Sequence, residues 1–239
     1  MKLLDKIITN ESSVLDLINR NNQDQQILLS YINQNCFNIY LKDQTYQDLI
    51  NEHFNVYYDG FGVFLLLKFL GRKNLKRFNA TDLNDKILIP LIRQRKNIYL
   101  IGGRFSDHQL NEFIEKTKLK IAGYSDGYFN TEELPQIAQR INEINADIII
   151  IGMGVPKQEM IAYELSKRVK AKLIICVGYY LEFTIGEKKR INPKFRNLGI
   201  EWLFRLFMEP GRLWKRYLVG IPVFFVNMIR IKFLKVKNQ

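Results

Sequence analysis

The sequence is poor in the residues that build disulfide frameworks and metal centres. It contains two cysteines, Cys36 and Cys176, which lie far apart, and two isolated histidines, His53 and His108. This composition argues against a disulfide-stapled fold, a structural zinc site and a histidine-rich metal centre. A reducing cytoplasm is therefore the expected compartment.

Signals for export and for membrane insertion are lacking as well. The N-terminal residues include Asp5 and Glu11 and have no apolar run of signal length. No stretch reaches about 18 uninterrupted apolar residues, and the nearest candidate, 217–229, contains glycine, proline and asparagine. We therefore predict neither a secretory signal nor a membrane-spanning helix.

Positive charge is concentrated at the C-terminal end. The net charge is +12, and from residue 186 onward thirteen basic residues against three acidic ones account for +10 of it. Both tryptophans also lie there, among many Phe, Leu and Ile residues, a composition that suits an anionic membrane surface. Nucleic acid is a weaker rival, because 218–233 is too apolar for a solvated DNA-binding face. A basic helix docked on its own domain is the third interpretation.

Residues 97–178 alternate short apolar runs with helical patterns. Strands are predicted at 97–101, 119–123, 147–151 and 172–177, and helices at 106–118, 131–144 and 157–169. A continuous apolar run such as 147–151 is typical of a strand buried on both faces of a parallel sheet. The alternation predicts an α/β fold with a Rossmann-like, mostly parallel sheet flanked by helices. We divide the chain into this core, 1–186, and a basic amphipathic C-terminal appendage, 187–239.

Glycines follow three of the predicted strands: Gly102 with Gly103, Gly152 with Gly154, and Gly178. In open α/β sheets the ligand crevice lies at the carboxyl ends of the strands, where glycine lets the backbone approach a ligand. The N-terminus of the next helix then offers free N–H groups to phosphate. The pattern favours a phosphate-bearing ligand. The Gly-x-Gly-x-x-Gly and Walker A motifs are absent, which argues against nicotinamide dehydrogenases and P-loop enzymes.

Asp59 is the candidate catalytic group. It lies among aromatic residues beside Gly60 and Gly62. Partial desolvation in such surroundings raises the basicity of a carboxylate, as a general base requires. An aspartate that only starts an Asp-Gly turn explains the sequence equally well.

Two further polar segments have both a structural and a functional interpretation. Arg77 and Asp82 flank the start of a helix, where Asp82 could act only as a cap. Lys157 and Gln158 follow Pro156 at another helix start. They form either an ordinary polar first turn or, beside the strand-end glycines, a binding site for a diphosphate or a sugar.

Taken together, these motifs resemble those of the WecG/TagA/CpsF glycosyltransferases. The similarity keeps order and spacing from about residue 28 to 217. It is carried by Tyr58-Asp59-Gly60-Phe-Gly62-Val, 77–83, Ile101-Gly102-Gly103, Gly127-Tyr128-Phe129, Gly152-Met-Gly154-Val-Pro156-Lys157-Gln158-Glu159 and Gly199-Ile-Glu201-Trp202-Leu-Phe-Arg205-Leu-Phe-Met-Glu209-Pro210.

The resemblance implies an inverting bacterial enzyme of surface polysaccharide synthesis, which moves a sugar from a UDP-sugar to a polyprenyl-diphosphate-linked saccharide. It implies no cofactor and no metal, and the chain has no Asp-x-Asp motif. Asp59 would be the base and Gln158 would lie in the sugar-nucleotide pocket. Arg205 and Arg212 would belong to an appendage that closes over the site and touches the membrane. The implied partners are the donor, the lipid-linked acceptor and an anionic membrane surface, with no nucleic acid, at the cytoplasmic face of the inner membrane as a peripheral protein.

The matched positions and the strand-end glycines together form the expected substrate site. Its residues are Asn33, Asn35, Arg77, Asp82, Gly102, Gly103, Gly127, Tyr128, Gly152, Gly154, Pro156, Lys157, Gln158, Glu159, Arg205 and Arg212.

The chain departs from the family pattern at several of the matched positions. Asn33 stands where the family usually has threonine, and Tyr179, Tyr180 and Glu182 replace two small residues and an aspartate. Such bulk would reshape the pocket, so the sugar is expected to be an N-acetylhexosamine or a related hexose that need not be of the N-acetylmannosamine type. A non-catalytic paralogue that binds a UDP-sugar or lipid is the alternative. A homo-oligomer would be one way to cover the apolar appendage.

Overall fold

The computed structural model describes residues 2–19, 25–75, 79–186 and 201–237. Within these ranges one sheet contains seven strands in the spatial order β1-β3-β2-β7-β6-β4-β5, and every neighbouring pair is parallel. The strands are β1 Ile7–Ile8, β2 Ile27–Ile32, β3 Asn55–Tyr58, β4 Ile98–Gly102, β5 Ile121–Ser125, β6 Ile148–Gly152 and β7 Leu173–Cys176. The predicted α/β fold with a parallel sheet is confirmed.

Helices cover the sheet and continue beyond it to the C-terminal end. They are α1 Lys2–Lys6, α2 Glu11–Asn19, α3 Gln34–Lys42, α4 Gln44–His53, α5 Gly60–Phe69, α6 Ala80–Arg93, α7 Asp107–Thr117, α8 Leu134–Glu143, α9 Lys157–Ser166, α10 Tyr180–Thr184, α11 Glu201–Met208, α12 Pro210–Trp214 and α13 Gly220–Lys237. A π-helical turn, Lys215–Val219, joins α12 to α13.

The central strands are apolar because both of their faces are covered. Ile149 in β6 pairs with Tyr99 in β4 and with Ile174 in β7, and all three side chains are buried. Full burial of an aliphatic side chain of this size contributes about 1.5–3 kcal/mol relative to exposure. A run of such residues therefore stabilises β6 only in the middle of a sheet that has helices on both sides.

The sheet consists of two halves that meet where β2 pairs with β7. One half holds β1, β3 and β2, and after β3 the chain passes through α5 and α6 to the other half, which holds β4 to β7. A change of direction of this kind opens a crevice at the carboxyl ends of the strands. The fold thus places the loops after β2, β3, β4, β6 and β7 at one edge.

The C-terminal helix α13 docks on α3 along one of its sides. Phe224 is 1% exposed and meets Phe37 edge to face at 5.5 Å, and the Asn38 amide donates to the Gly220 carbonyl at 2.7 Å. One side of α13 is therefore docked on the protein's own core, as the third interpretation of the basic C-terminal segment expected. The other side leaves large apolar residues exposed: Phe225, Val226, Ile229, Phe233 and Leu234.

The helical stretch Pro210–Leu234 is 25 residues long and, by length and composition alone, apolar enough to cross a membrane. This differs from the expectation drawn from the sequence, which looked for an uninterrupted apolar run. The helix continues through Gly220 and Pro222 because Pro222 comes just after the π-helical turn Lys215–Val219, where the regular hydrogen-bond pattern is already interrupted.

Candidate active site

A cavity of about 660 Å³ opens at the carboxyl ends of the strands. Asn33 follows β2, Asp59 follows β3, Gly103 follows β4 and Gly178 lies just after β7, and all four line the cavity wall. They come together because parallel strands bring their carboxyl ends to the same edge of the sheet. The strand-end residues singled out in the sequence thus surround one space.

Most of the residues expected from the sequence lie in this wall. They are Asn33, Asn35, Asp59, Gly103, Gly127, Tyr128, Gly152, Gly154, Lys157, Arg205 and Arg212. Five others, Asp82, Gly102, Pro156, Gln158 and Glu159, are not among the residues that line it. Arg77 lies outside the described residues, and Asp82 is exposed in the first turn of α6.

Gly102 packs closely against the end of the neighbouring strand β6. Its φ is +143°, and a Cβ there would lie 2.4 Å from the carbonyl oxygen of Gly152. Gly178, with φ +61°, is constrained by a side chain instead, since a Cβ there would lie 2.1 Å from the Tyr31 hydroxyl oxygen. These glycines let neighbouring strand ends approach closely, and that approach shapes the cavity floor.

Asp59 is positioned by two elements other than its own helix. Its carboxylate makes no capping hydrogen bond to α5, although it occupies the N-cap position. Instead Oδ1 accepts from the N–H of Ala80 at 2.9 Å, and the Asp59 N–H donates to the carbonyl of Ile32 at 2.9 Å. The start of α6 therefore orients the carboxylate at the cavity wall.

Gln158 and Glu159 point into the core beneath the cavity floor, and both are 0% exposed. The Gln158 amide oxygen accepts from the N–H of Gly178 at 3.0 Å, and its amide nitrogen donates to Glu159 Oε1 at 2.8 Å. Ser30 Oγ donates to the same oxygen at 2.7 Å. Burial raises the pKa of Glu159 to about 7, although the hydrogen bonds from Gln158 and Ser30 lower it. The resemblance placed Gln158 in the sugar-nucleotide pocket, whereas its side chain lies one layer below.

Lys157 connects two loops at the cavity mouth. Its ammonium group donates to the carbonyl of Gly127 at 3.1 Å and lies 5.7 Å from the ring centroid of Phe129. Nearby, Tyr128 is exposed and its ring lies under the Arg104 guanidinium at 4.9 Å. The first residue of α9 thus supplies a positive charge where the loop after β5 meets the loop after β6.

Three arginines reach the cavity from the C-terminal helices: Arg205, Arg212 and Arg216. The Arg205 guanidinium lies 4.8 Å from the ring centroid of Phe183, and that of Arg212 lies 4.7 Å from the ring centroid of Tyr179. With Lys157 they bring four cations to a wall that also contains the carboxylates Asp59, Glu182 and Glu209. Such a wall suits an anionic ligand together with one group that can accept a proton.

Sequence reasoning missed several residues of the wall, among them Tyr31, Met153, Phe183, Glu209 and Arg216. Arg216 had a signal, because it follows Arg212 by four positions and residues at that spacing share a helix face. Tyr31 had none, since only the pairing of β2 with β7 brings it to Gly178.

The residues that depart from the family pattern also lie in the wall. Tyr179, Tyr180 and Glu182 all border the cavity. The Tyr180 hydroxyl donates to Asp85 Oδ1 in α6 at 2.6 Å. Bulky side chains at these positions therefore reduce the space next to the loop after β7.

The described part of the chain contains no group of three or more His, Cys, Asp or Glu residues placed to hold a metal ion.

Comparison with known proteins shows the family of the chain. Residues 3–238 match the family model described as "Glycosyl transferase WecG/TagA/CpsF family". The chain therefore belongs to this family of glycosyltransferases, as its motifs predicted.

Two curated relatives of the chain bear the same activity in their names. It is similar to an N-acetylglucosaminyldiphosphoundecaprenol N-acetyl-beta-D-mannosaminyltransferase of Bacillus subtilis (strain 168), with 26% identity over 93% of this chain and 87% of the relative. A protein of the same name from Staphylococcus aureus (strain MW2) is 27% identical over 89% of this chain and 83% of the relative.

Proposed function

We propose that this glycosyltransferase transfers an N-acetylhexosamine or a related hexose, with inversion, from a UDP-sugar to a polyprenyl-diphosphate-linked saccharide in bacterial surface polysaccharide synthesis. The observation that carries the proposal is the meeting of Asp59 with the arginines Arg205, Arg212 and Arg216 around one cavity. The names of the relatives support a lipid-diphosphate-linked N-acetylglucosamine as the acceptor.

The reaction is a single displacement at the anomeric carbon of the donor sugar. Asp59 takes the proton of the acceptor hydroxyl while that oxygen forms the new glycosidic bond. The bond from the anomeric carbon to the diphosphate breaks at the same time, and its electron pair leaves with UDP. The cavity arginines stabilise the negative charge that develops on the departing diphosphate, and UDP-sugar is a substrate, so no cofactor takes part.

The loop between β6 and α9 is the proposed place for the diphosphate. Gly152 and Gly154 let the backbone come close to a ligand, and α9 begins directly after this loop, so that the partial positive charge of its N-terminus favours an anion there. Lys157 adds a side-chain charge at that helix start. The sugar would then lie toward the loop after β7, where Tyr179 and Glu182 limit its size and shape.

The C-terminal helices are the proposed membrane-docking face, at the cytoplasmic side of the inner membrane. The exposed apolar residues of α13 lie on a helix that also carries Arg230 and Lys232, as expected for an interfacial helix on anionic lipid. Phe61 and Phe69 of α5 are also exposed, and the Lys232 ammonium lies 5.5 Å from the ring of Phe69. Since α5 begins directly after Asp59, this face would deliver a lipid-linked acceptor next to the base. The docking of α13 on α3 favours peripheral attachment.

A UDP-release assay tests the proposal. Purified protein in detergent is given a panel of UDP-sugars, a lipid-diphosphate N-acetylglucosamine acceptor and no added metal. Acceptor-dependent release of UDP from one donor is the expected result and identifies the sugar. Binding of UDP without release from any donor, even with lipid acceptors extracted from cells, would instead support the non-catalytic paralogue.

A further inference from the structure

A short chain of polar groups crosses the apolar core below the active site. Ser30 in β2 and the adjacent residues Gln158 and Glu159 in α9 are all 0% exposed. Buried polar side chains are costly unless hydrogen bonds replace their contacts with water. Here the bonds run from Ser30 to Glu159, from Gln158 to Glu159 and from Gly178 to Gln158. This chain of polar groups therefore joins the middle of the sheet to the cavity floor.

The hydrogen bond from the Gly178 N–H to the Gln158 side chain holds the loop at the start of α10. Gly178 comes directly before Tyr179, and α10 then carries Tyr180, Glu182 and Phe183 along the cavity wall. Gly178 is confined on its other side by the Tyr31 hydroxyl group, which leaves no room for a side chain. A shift of the Gly178 peptide would therefore move the wall residues that follow it.

Glu159 determines which way the Gln158 amide faces. The N–H of Gly178 can only donate, so it requires the oxygen of the amide and not the NH₂ group. With that orientation the NH₂ group points to Glu159 Oε1, which accepts it at 2.8 Å. If the amide were rotated by half a turn, its oxygen would face the acceptor Oε1 of Glu159, and two donors would face each other at Gly178. An acceptor at the position of Glu159 thus selects the orientation that holds the loop.

We propose that Glu159 is a positioning residue of the transferase, which acts through Gln158 on the peptide N–H of Gly178 and so holds the loop after β7 in the shape that binds the donor. The proposal rests on the proposed function in one respect, since the cavity must be the donor site. On this proposal Glu159 does not contact the substrate, and its loss makes the loop after β7 at the cavity wall more mobile.

Among the described buried titratable groups that interact with Glu159, none changes its own charge near neutral pH. Tyr31 in β2, Cys36 in α3, Tyr46 in α4 and Cys176 in β7 all interact electrostatically with it, and burial raises the pKa of each of them, so they stay neutral. The neighbouring strand β6 contributes only isoleucines and Gly152. An ionised Glu159 can only accept hydrogen bonds, whereas a protonated one can also donate and tolerates the rotated amide. The loop should therefore be held more firmly above neutral pH than below it.

Two substitutions and one control separate positioning from simple packing. Glu159→Leu removes the acceptor, and Glu159→Gln keeps an acceptor oxygen but cannot ionise. Tyr46→Phe is the matched control, because the Tyr46 hydroxyl is buried near Glu159 but forms no hydrogen bond among the described residues. Amide hydrogen exchange of the segment 177–183 and UDP affinity by calorimetry are measured for each protein, followed by steady-state kinetics.

We expect Glu159→Leu to speed exchange in 177–183 and to weaken UDP binding roughly tenfold, the effect of about one lost hydrogen bond, with KM for the donor rising more than kcat falls. Glu159→Gln should restore most of the affinity, and the ratio of its affinity to that of the wild type should change between pH 6 and 8. Tyr46→Phe should match the wild type in exchange and affinity. Unchanged exchange and affinity in Glu159→Leu would overturn the proposal, as would an equal effect of Tyr46→Phe.

Exchange and UDP binding do not depend on transfer. If the wild type binds UDP but transfers no sugar, the proposed reaction fails and the positioning role is still measured. If the wild type transfers sugar and Glu159→Leu leaves the loop and the donor KM unchanged, only the positioning role fails.

Discussion

The Tyr179 hydroxyl donates a 2.7 Å hydrogen bond to Oε1 of Glu209 and so joins the loop after β7 to the C-terminal helices. Glu209 Oε2 accepts from Nε of Arg212 at 2.5 Å, and the Arg212 guanidinium lies over the ring of Tyr179. The three side chains form one contact at the cavity wall. The contact ties the start of α10 to α12.

The first prediction concerns this contact. Tyr179→Phe and Glu209→Ala should each lower the free energy of unfolding, and the double variant should lose less than their sum. We expect a coupling of about 1 kcal/mol in a urea-unfolding cycle, because both single changes remove the same hydrogen bond. Tyr163→Phe in α9, a tyrosine outside the cavity wall, serves as the control pair with Glu209→Ala and should be additive. A coupling near zero for Tyr179 and Glu209 would show that the contact is not formed in solution.

Asp59→Asn should abolish most turnover and leave donor binding intact. The amide cannot accept the acceptor's proton, so kcat should fall by roughly 10²–10⁴ in the UDP-release assay. Affinity for UDP, measured by calorimetry, should stay close to that of the wild type, since the arginines and Lys157 are unchanged. Asp16→Asn, at an exposed position of α2, controls for the loss of a carboxylate. Near-normal turnover in Asp59→Asn would rule out the base.

The buried carboxyl of Glu159 should make stability depend on pH. Its pKa is about 7 in the folded protein against an ordinary value of 4.5, so between these values the folded state binds more protons than the unfolded state. The free energy of unfolding therefore falls as pH rises through this window, and above about pH 7 the contribution is lost. Relative to Glu159→Gln, the wild type should lose roughly 2–3 kcal/mol between pH 5 and 8 in urea unfolding. Parallel pH profiles would contradict a buried, titrating Glu159.

Phe233→Glu should weaken attachment to anionic vesicles. Phe233 is 66% exposed on α13, so the change removes an apolar group available to the lipid and adds a charge that the lipid repels. We expect roughly tenfold weaker binding in a sedimentation assay with vesicles that contain phosphatidylglycerol. Gln136→Glu makes the same change of charge at an exposed position of α8 and should bind like the wild type. Equal binding by both variants would exclude this face as the docking surface.

Chelation should leave the transfer reaction unaffected. The arginines of the C-terminal helices and Lys157 are proposed to stabilise the leaving diphosphate, a role that a divalent cation has in other enzymes. Acceptor-dependent UDP release should therefore proceed at the same rate with EDTA as with added Mg²⁺. A loss of rate in EDTA that Mg²⁺ restores would contradict metal independence.

Much of the fold and part of the site follow from local patterns. The isoleucine run of β6 predicts a strand buried on both faces, and the glycines after β4 and β6 predict the cavity edge. Asp59 was identified because one carboxylate among aromatic residues is unusual. The structure adds that its side chain accepts from the N–H of Ala80 at the cavity wall instead of capping α5.

By itself the sequence determined the parallel α/β core, the family and the residues that gather at the strand ends, because these depend on hydrophobic periodicity and on motif spacing. Only the tertiary structure decided which way the side chains point. Gln158 and Glu159 follow Lys157 at the start of one helix, yet only Lys157 lines the cavity. Glu159 instead accepts from Ser30, 129 positions away in the chain, and Gln158 accepts from Gly178. The contact of Tyr179 with Glu209 and the docking of α13 on α3 depend in the same way on long-range packing, whose partners no local pattern can name.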